Sequence, residues 1–63
     1  MLDNIKRAAT ELAKKYQDQR WFNGTSYSEE ERCLIIYIKS SIYFARSLIQ
    51  ETYLEYPVVV IEE

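Results

Sequence analysis

The sequence predicts an all-α protein: an antiparallel helical hairpin of one short and one long helix, followed by an extended β tail. Two stretches with helical spacing of their apolar residues flank an Asn23-Gly24 turn. A run of β-branched residues follows Pro57. The chain has 63 residues, so these parts are expected to form one small domain.

The first helix is predicted over residues 3–20. Asp3 or Asn4 can cap its start, because a short polar side chain there accepts a bond from a free backbone amide. The opposite face is charged, so the helix is amphipathic. Its apolar face is formed by Leu2, Ile5, Ala9, Leu12, Ala13 and Tyr16, with Ala8 at the edge.

A turn is predicted over residues 21–27. Gly24 is the only glycine in the chain, and glycine past a helix end supplies the left-handed conformation of a C-cap. A connection this short makes the two helices antiparallel neighbours. Trp21 and Phe22 are expected to cover the open end of the helix pair; the alternative is an exposed aromatic anchor for a partner.

The second helix is predicted over residues 28–55. Ser28 followed by Glu31 fits a capping box, and Pro57 disfavours helical angles in the residue before it. The helix would be apolar over most of its circumference, which indicates burial on more than one side. Lys39 and Arg46 interrupt the apolar run, which argues against a membrane span. The centre of the main face is formed by Leu34, Ile38, Ser41, Ala45, Leu48 and Thr52.

The tail is predicted over residues 57–63. Val58, Val59, Val60 and Ile61 are strong strand formers, and a lone strand must pair with something. It could add to the same strand of a second copy, or to the edge of a partner's sheet. A third alternative is an extended tail that lies flat on the helices.

The run Arg32-Cys33-Leu34-Ile35-Ile36-Tyr37-Ile38, with Arg46 and Leu48 further on, resembles a helix in one subunit of the eukaryotic GINS replication complex. The similarity covers a short part of the chain. Ser40-Ser41 stand where that family favours charged residues, and no site residue is carried over from it.

The residues for catalysis are missing from the sequence. It has no histidine, one cysteine and no glycine-rich phosphate loop, so we expect no enzymatic activity, no cofactor and no metal site. Glu29, Glu30 and Glu31 diverge around the predicted helix and cannot act as a paired acid and base. A single free cysteine without a secretory pattern favours the cytoplasm.

The predicted hairpin leaves apolar surface uncovered, and a core of this size stabilises a chain weakly. With neither a disulfide nor a metal available, the sequence predicts a homodimer. The second face of the long helix would be buried through Ile36, Tyr43, Leu54 or the edge near Ile49.

The surplus of apolar and aromatic surface predicts a small protein–protein interaction protein that acts on a larger protein as an inhibitor, regulator or adaptor. Small acidic proteins of this kind occur in phages and mobile elements. Alternatives are a structural subunit or fragment of a larger helical assembly, and a dimeric nucleic-acid-binding protein. Lysines and arginines of the first helix are interleaved with acidic residues, which argues against nucleic acid. The predicted partner-binding residues are Trp21, Phe22, Tyr27, Ile36, Tyr43, Tyr53, Tyr56, Val58, Val59, Val60 and Ile61.

Overall fold

The protein has an α+β fold with one α-helix and a mixed four-stranded sheet, so the prediction of an all-α helical hairpin is wrong. The structure, a computed structural model, describes residues 4–63. Its elements in chain order are helix α1 (Asn4–Tyr16), strands β1 (Phe22–Ser28) and β2 (Cys33–Ile38), a 3₁₀ helix (Ser40–Leu48), and strands β3 (Thr52–Tyr53) and β4 (Tyr56–Glu62).

The sheet has the strand order β1-β2-β4-β3. Strand β2 pairs antiparallel with β1 and parallel with β4, and the short β3 pairs antiparallel with β4. Strand β2 is therefore central and β1 is an edge. The two-residue β3 covers β4 only at Tyr56 and Pro57, so residues 58–62 of β4 have no strand on their outer side. A parallel pair cannot be joined by a tight turn, so the 3₁₀ helix Ser40–Leu48 serves as the crossover between β2 and β4.

The predicted second helix is replaced by a strand at its start. In β2, Leu34, Ile36 and Ile38 are fully buried, whereas Ile35 and Tyr37 between them are partly exposed. That alternation has the period of a strand. Leu34 and Ile38 are also four residues apart, so a helical wheel accepts them equally well. The β-branched isoleucines favour the strand, and the similarity to a GINS helix does not hold.

Helix α1 ends earlier than predicted, at Tyr16 instead of residue 20. It buries the predicted stripe through Ile5, Ala8, Ala9, Leu12 and Tyr16. Leu2 and Asp3, which the prediction placed in the stripe and the cap, lie outside the described residues. Beyond the helix the chain turns, and the amide of Gln19 donates to the carbonyl oxygen of Tyr16 at 2.9 Å.

The predicted turn over residues 21–27 is mostly strand β1. Trp21 is buried in the core and its ring lies 5.3 Å from that of Tyr16, tilted by 50°. Gly24 is not a helix cap: with φ of 152° it follows a bulge at which the pairing of β1 with β2 shifts register after Phe22. Few side-chain-bearing residues adopt such a φ, which explains glycine here.

The predicted capping bond at Ser28 forms, but it caps no helix. The amide of Glu31 donates to Ser28 Oγ at 3.2 Å and closes the turn between β1 and β2. The same Ser-x-x-Glu spacing thus serves a hairpin connection, because a side-chain oxygen can satisfy a free amide in either setting.

The crossover and α1 cover the same face of the sheet. The crossover has a kink at Ile42, where φ is −122° and ψ is 53°. Ala45 and Ile49 belong to the buried cluster that also contains Leu12 of α1 and Ile36 of β2. The molecule therefore has two layers, with one face of the sheet left without a covering element among the described residues.

The extended tail exists, but its pairing differs from the predictions. Leu34 pairs with Val58 and Tyr37 with Ile61, so β4 completes the chain's own sheet. The strand therefore lies in a sheet and not flat on the helices, whereas its pairing with a second copy or with a partner's sheet stays a prediction. Pairing with β2 of the same chain satisfies the backbone hydrogen bonds on that side of β4 without a second molecule.

Candidate interaction surfaces

The crossover presents a cluster of exposed apolar side chains. Tyr43, Phe44 and Leu48 are 67%, 60% and 60% exposed. The rings of Tyr43 and Phe44 meet edge to face, with centroids 6.1 Å apart and an interplanar angle of 78°. We call these three residues the crossover patch.

The crossover patch is held in place by the residues between Phe44 and Leu48. Ala45, between the exposed aromatic pair and Leu48, is fully buried in the core. Arg46 Nη2 donates to Glu62 Oε2 at 2.9 Å and ties the crossover to β4. The Ser47 hydroxyl donates to the carbonyl oxygen of Phe44 at 2.8 Å. The patch is therefore displayed on an anchored segment and not on a free loop.

The uncovered face of the sheet is a second apolar surface. Residues that alternate with the buried ones point to this side, so Ile35 lies beside Val59 and Tyr37 beside Ile61. Val59 and Ile61 are 44% and 39% exposed, and the two residues of β2 are partly exposed. We call these four residues the open sheet face. On β1 it is bordered by Ser26, which lies beside Ile35.

A groove of about 820 Å³ lies at the end of the molecule where α1 begins and two strand connections meet. Arg32 lies 5.5 Å above the ring of Tyr56, and Arg7 Nε is 3.4 Å from Glu11 Oε2. The groove mixes two arginines with three glutamates, so it has no dominant charge. Its lining is Asn4, Arg7, Glu11, Glu31, Arg32, Leu54, Glu55, Tyr56 and Pro57.

The residues predicted to bind a partner fall into three groups according to their exposure. Trp21 and Ile36 are buried in the core. Tyr43, Val59 and Ile61 are exposed. The remaining six are partly buried and pack against the core; they are Phe22, Tyr27, Tyr53, Tyr56, Val58 and Val60. Ile36 and Ile49, predicted for the dimer interface, are both buried within the chain.

Sequence reasoning did not select Phe44 and Leu48 as partner-binding residues. Both fitted the broad apolar face of the predicted helix, so they were assigned to its packing. The signal that could have found them is the dipeptide Tyr43-Phe44, flanked by Ser40-Ser41 and Ser47. Serine on both sides of an aromatic pair suits a surface connection better than a buried helix.

No group of three or more His, Cys, Asp or Glu residues within 4–63 is placed to hold a metal ion. Cys33 is a free thiol and is buried at 6% exposure.

None of the helices in residues 4–63 combines the length and the apolar character that crossing a membrane requires. Comparison of the chain with protein-family models, curated proteins and solved structures found no match. The surfaces described above are therefore interpreted from their own geometry and chemistry.

Proposed function

We propose that this protein is a small cytoplasmic protein–protein interaction protein that binds a larger protein through the crossover patch. It acts by occupying a surface on that protein, as an inhibitor, regulator or adaptor. The observation that carries the proposal is the exposure of Tyr43, Phe44 and Leu48, at 67%, 60% and 60%, on one nine-residue segment.

Exposed apolar side chains that adjoin one another are disfavoured in water unless something covers them. Burying such surface is worth about 25 cal/mol per Å², so two aromatic rings and a leucine supply a substantial driving force for association. Tyrosine is also enriched among the residues that dominate binding energy at interfaces. Single exposed apolar residues are ordinary, but an exposed aromatic pair together with an exposed leucine on the same nine-residue segment is typical of an interaction surface.

The anchoring of the crossover favours binding further. A loop that must become ordered on binding loses conformational entropy, which weakens the complex. Here the buried Ala45 and the ion pair of Arg46 with Glu62 already hold the segment. Part of the ordering cost is therefore met when the chain folds.

The open sheet face is a weaker candidate for the primary contact. Val59 and Ile61 expose 44% and 39% of their surface, and Ile35 and Tyr37 expose less than they do. A partner seated there would gain less newly buried apolar area for each residue contacted.

The test is capture of the partner by matched variants of the tagged protein, in cells that make it. Phe44→Ser removes the centre of the patch from an exposed position, so the fold should survive. Leu54→Ser is the control, because Leu54 is 54% exposed but lies in the connection between β3 and β4. We expect wild type and Leu54→Ser to retain the same protein, in the same molar ratio to the tagged chain. Phe44→Ser should lose most of it.

Circular dichroism of each variant checks that the fold is unchanged. If Phe44→Ser retains the captured protein as well as Leu54→Ser does, the crossover patch is not the binding surface. A photoreactive phenylalanine analogue at position 43 gives an independent answer. It should cross-link to the captured protein, whereas the same group at the exposed Gln17 on the connection after α1 should not.

A further inference from the structure

Strand β1 is an edge strand with an unprotected outer side. It pairs with β2 on one side only. On its other side the amide of Phe22 donates to the carbonyl oxygen of Gln19 at 3.2 Å, and from residue 23 to residue 28 no backbone bond to that side is found within residues 4–63. Exposed edges are usually guarded by lysine, proline or an inward-pointing charge. The seven residues of Phe22–Ser28 include no charged residue and no proline. The bulge after Phe22 is the one irregularity.

The strand is anchored beneath α1, so its edge is a fixed platform. Thr25 Oγ1 donates to the carbonyl oxygen of Ala9 at 3.0 Å, which places this side chain on the covered face. On the open face of the sheet, β1 carries the small residues Gly24, Ser26 and Ser28. On that face, β1 therefore has no bulky side chain that would have to pack against the side chains of an added strand.

Charges of opposite sign lie at the two ends of β1. Arg20 immediately precedes the strand and is exposed, while Glu29, Glu30 and Glu31 follow it and are also exposed. The ion pairs found within residues 4–63 are Arg7 with Glu11 and Arg46 with Glu62, so these charges are not neutralised by one another within the chain. A charge of the other sign stands near each end, since Asp18 is exposed two residues before Arg20 and Arg32 is exposed directly after Glu31.

We propose that a second copy of this chain docks on β1, with the two β1 strands antiparallel, to form a homodimer with a continuous eight-stranded sheet. An antiparallel arrangement about a two-fold axis sets the positive end of each strand against the acidic turn of the other. When the axis passes near Thr25, the turn that holds Glu30 and the turn that holds Arg20 of the partner subunit lie at the same end of the strand pair. A parallel arrangement would bring like charges together at both ends, so the charge pattern also fixes the direction.

The charge pattern along β1 and its flanking turns favours a second copy of this chain over an unrelated strand. A two-fold interface uses the same patch twice, so the patch must be complementary to itself when reversed. The sequence from Arg20 to Glu31 meets that condition, with positive charge at one end, acidic charge at the other and uncharged residues between. This interface is separate from the crossover patch and does not depend on the proposed partner.

The test exploits the symmetry through two charge reversals, Arg20→Glu and Glu30→Arg. Each variant alone places like charges opposite each other at both ends of the interface. An equimolar mixture restores both attractive contacts, because Glu at position 20 of one chain meets Arg at position 30 of the other. Sedimentation equilibrium over a dilution series measures the dimer dissociation constant of each sample.

We expect the dissociation constant of either variant alone to rise roughly 10- to 100-fold, because two exposed charge pairs change from attraction to repulsion. The mixture should return to within about threefold of wild type. Lys6→Glu is the matched control. It makes the same change in net charge as Arg20→Glu at an exposed position of α1, and should leave the constant unchanged.

Ser26→Lys is a second variant, because a lysine at the middle of the strand guards the edge whatever the exact register. It should weaken the dimer as much as either charge reversal. A wild-type chain that stays monomeric up to about 1 mM overturns the proposal. So does a dimer that Ser26→Lys leaves intact, or a mixture no tighter than its separate components. Phe44→Ser should leave the dimer unchanged, so failure of the partner proposal and failure of this one are distinguishable.

Discussion

At the scale of single residues, Ile35 and Ile36 show how neighbouring side chains of identical chemistry have different surroundings. Ile36 is fully buried between the sheet and α1. Ile35, on the other side of the same strand, is partly exposed on the open sheet face. A helix would have turned these two side chains only about 100° apart, whereas a strand points them to opposite faces.

The first prediction concerns this pair. Ile36→Val removes one buried methylene group and should lower the free energy of unfolding by about 1 kcal/mol. Ile35→Val removes the same group from a partly exposed side chain and should lower it by less than half as much. Equilibrium urea denaturation of both variants measures the two losses. Equal losses would contradict the assignment of opposite faces in β2.

What the sequence predicts best at this scale is the buried stripe of α1. Ile5, Leu12 and Tyr16 follow a helical spacing with charged residues opposite, so only one periodicity fits them. In β2 the residues are apolar on both faces, which removes the alternation that identifies a strand. Exposure of Phe44 was missed for a related reason, although the serines on both sides of Tyr43-Phe44 argue for a surface position. Its apolar neighbours on both sides fit a packed helix, and tertiary context decides against it.

At the scale of elements, the connection between β3 and β4 departs most from residue preferences. Tyr53 and Tyr56 pair across a two-residue loop formed by Leu54 and Glu55. Their φ angles of 50° and 72° are both positive, as in a type I′ turn. Asn-Gly is the usual sequence for such a turn, and leucine is strained there. Tyr-Leu-Glu-Tyr contains none of the usual turn residues, so the second helix was predicted to continue to residue 55.

The second prediction follows from that strain. Replacement of Leu54-Glu55 by Asn-Gly should raise the free energy of unfolding by roughly 1–2 kcal/mol, because the left-handed conformation costs about that much for ordinary residues. Thermal and urea denaturation both measure the gain. The same dipeptide in place of Glu29-Glu30 is the control, since neither residue has a positive φ, and it should give no gain. A loss of stability at 54–55 would contradict the turn geometry.

At the scale of the whole molecule, the fold depends on pairing between distant parts of the chain. Strand β2 lies between β1 and β4, and its fully buried residues face α1. The parallel pairing joins Leu34 to Val58 and Ile38 to Glu62. Periodicity carries no information about such pairing, because strand order and direction are fixed by which faces the other elements leave open. For that reason the strand propensity of Val58–Ile61 was visible in the sequence, but its partner was not.

The third prediction concerns how the molecule opens. Amides of β2 should exchange with solvent hydrogen most slowly, since both neighbours of this strand must separate before it is exposed. Amides of the crossover and of β3 should exchange much faster, because β3 has two residues and the crossover has one fully buried side chain. Hydrogen exchange followed by NMR gives the order. If amides of α1 are the slowest, the sheet is not the last part to open.

The rate at which the thiol of Cys33 is modified can report how often the sheet opens. Cys33 is the only cysteine, it begins the central strand β2, and its thiol is buried opposite Ser28. A thiol reagent therefore modifies the native chain at a rate set by how often β1 and β2 separate there. Readings taken with and without a bound partner, or above and below the concentration at which copies associate, report how each event restrains that separation, in a protein that needs no engineered label.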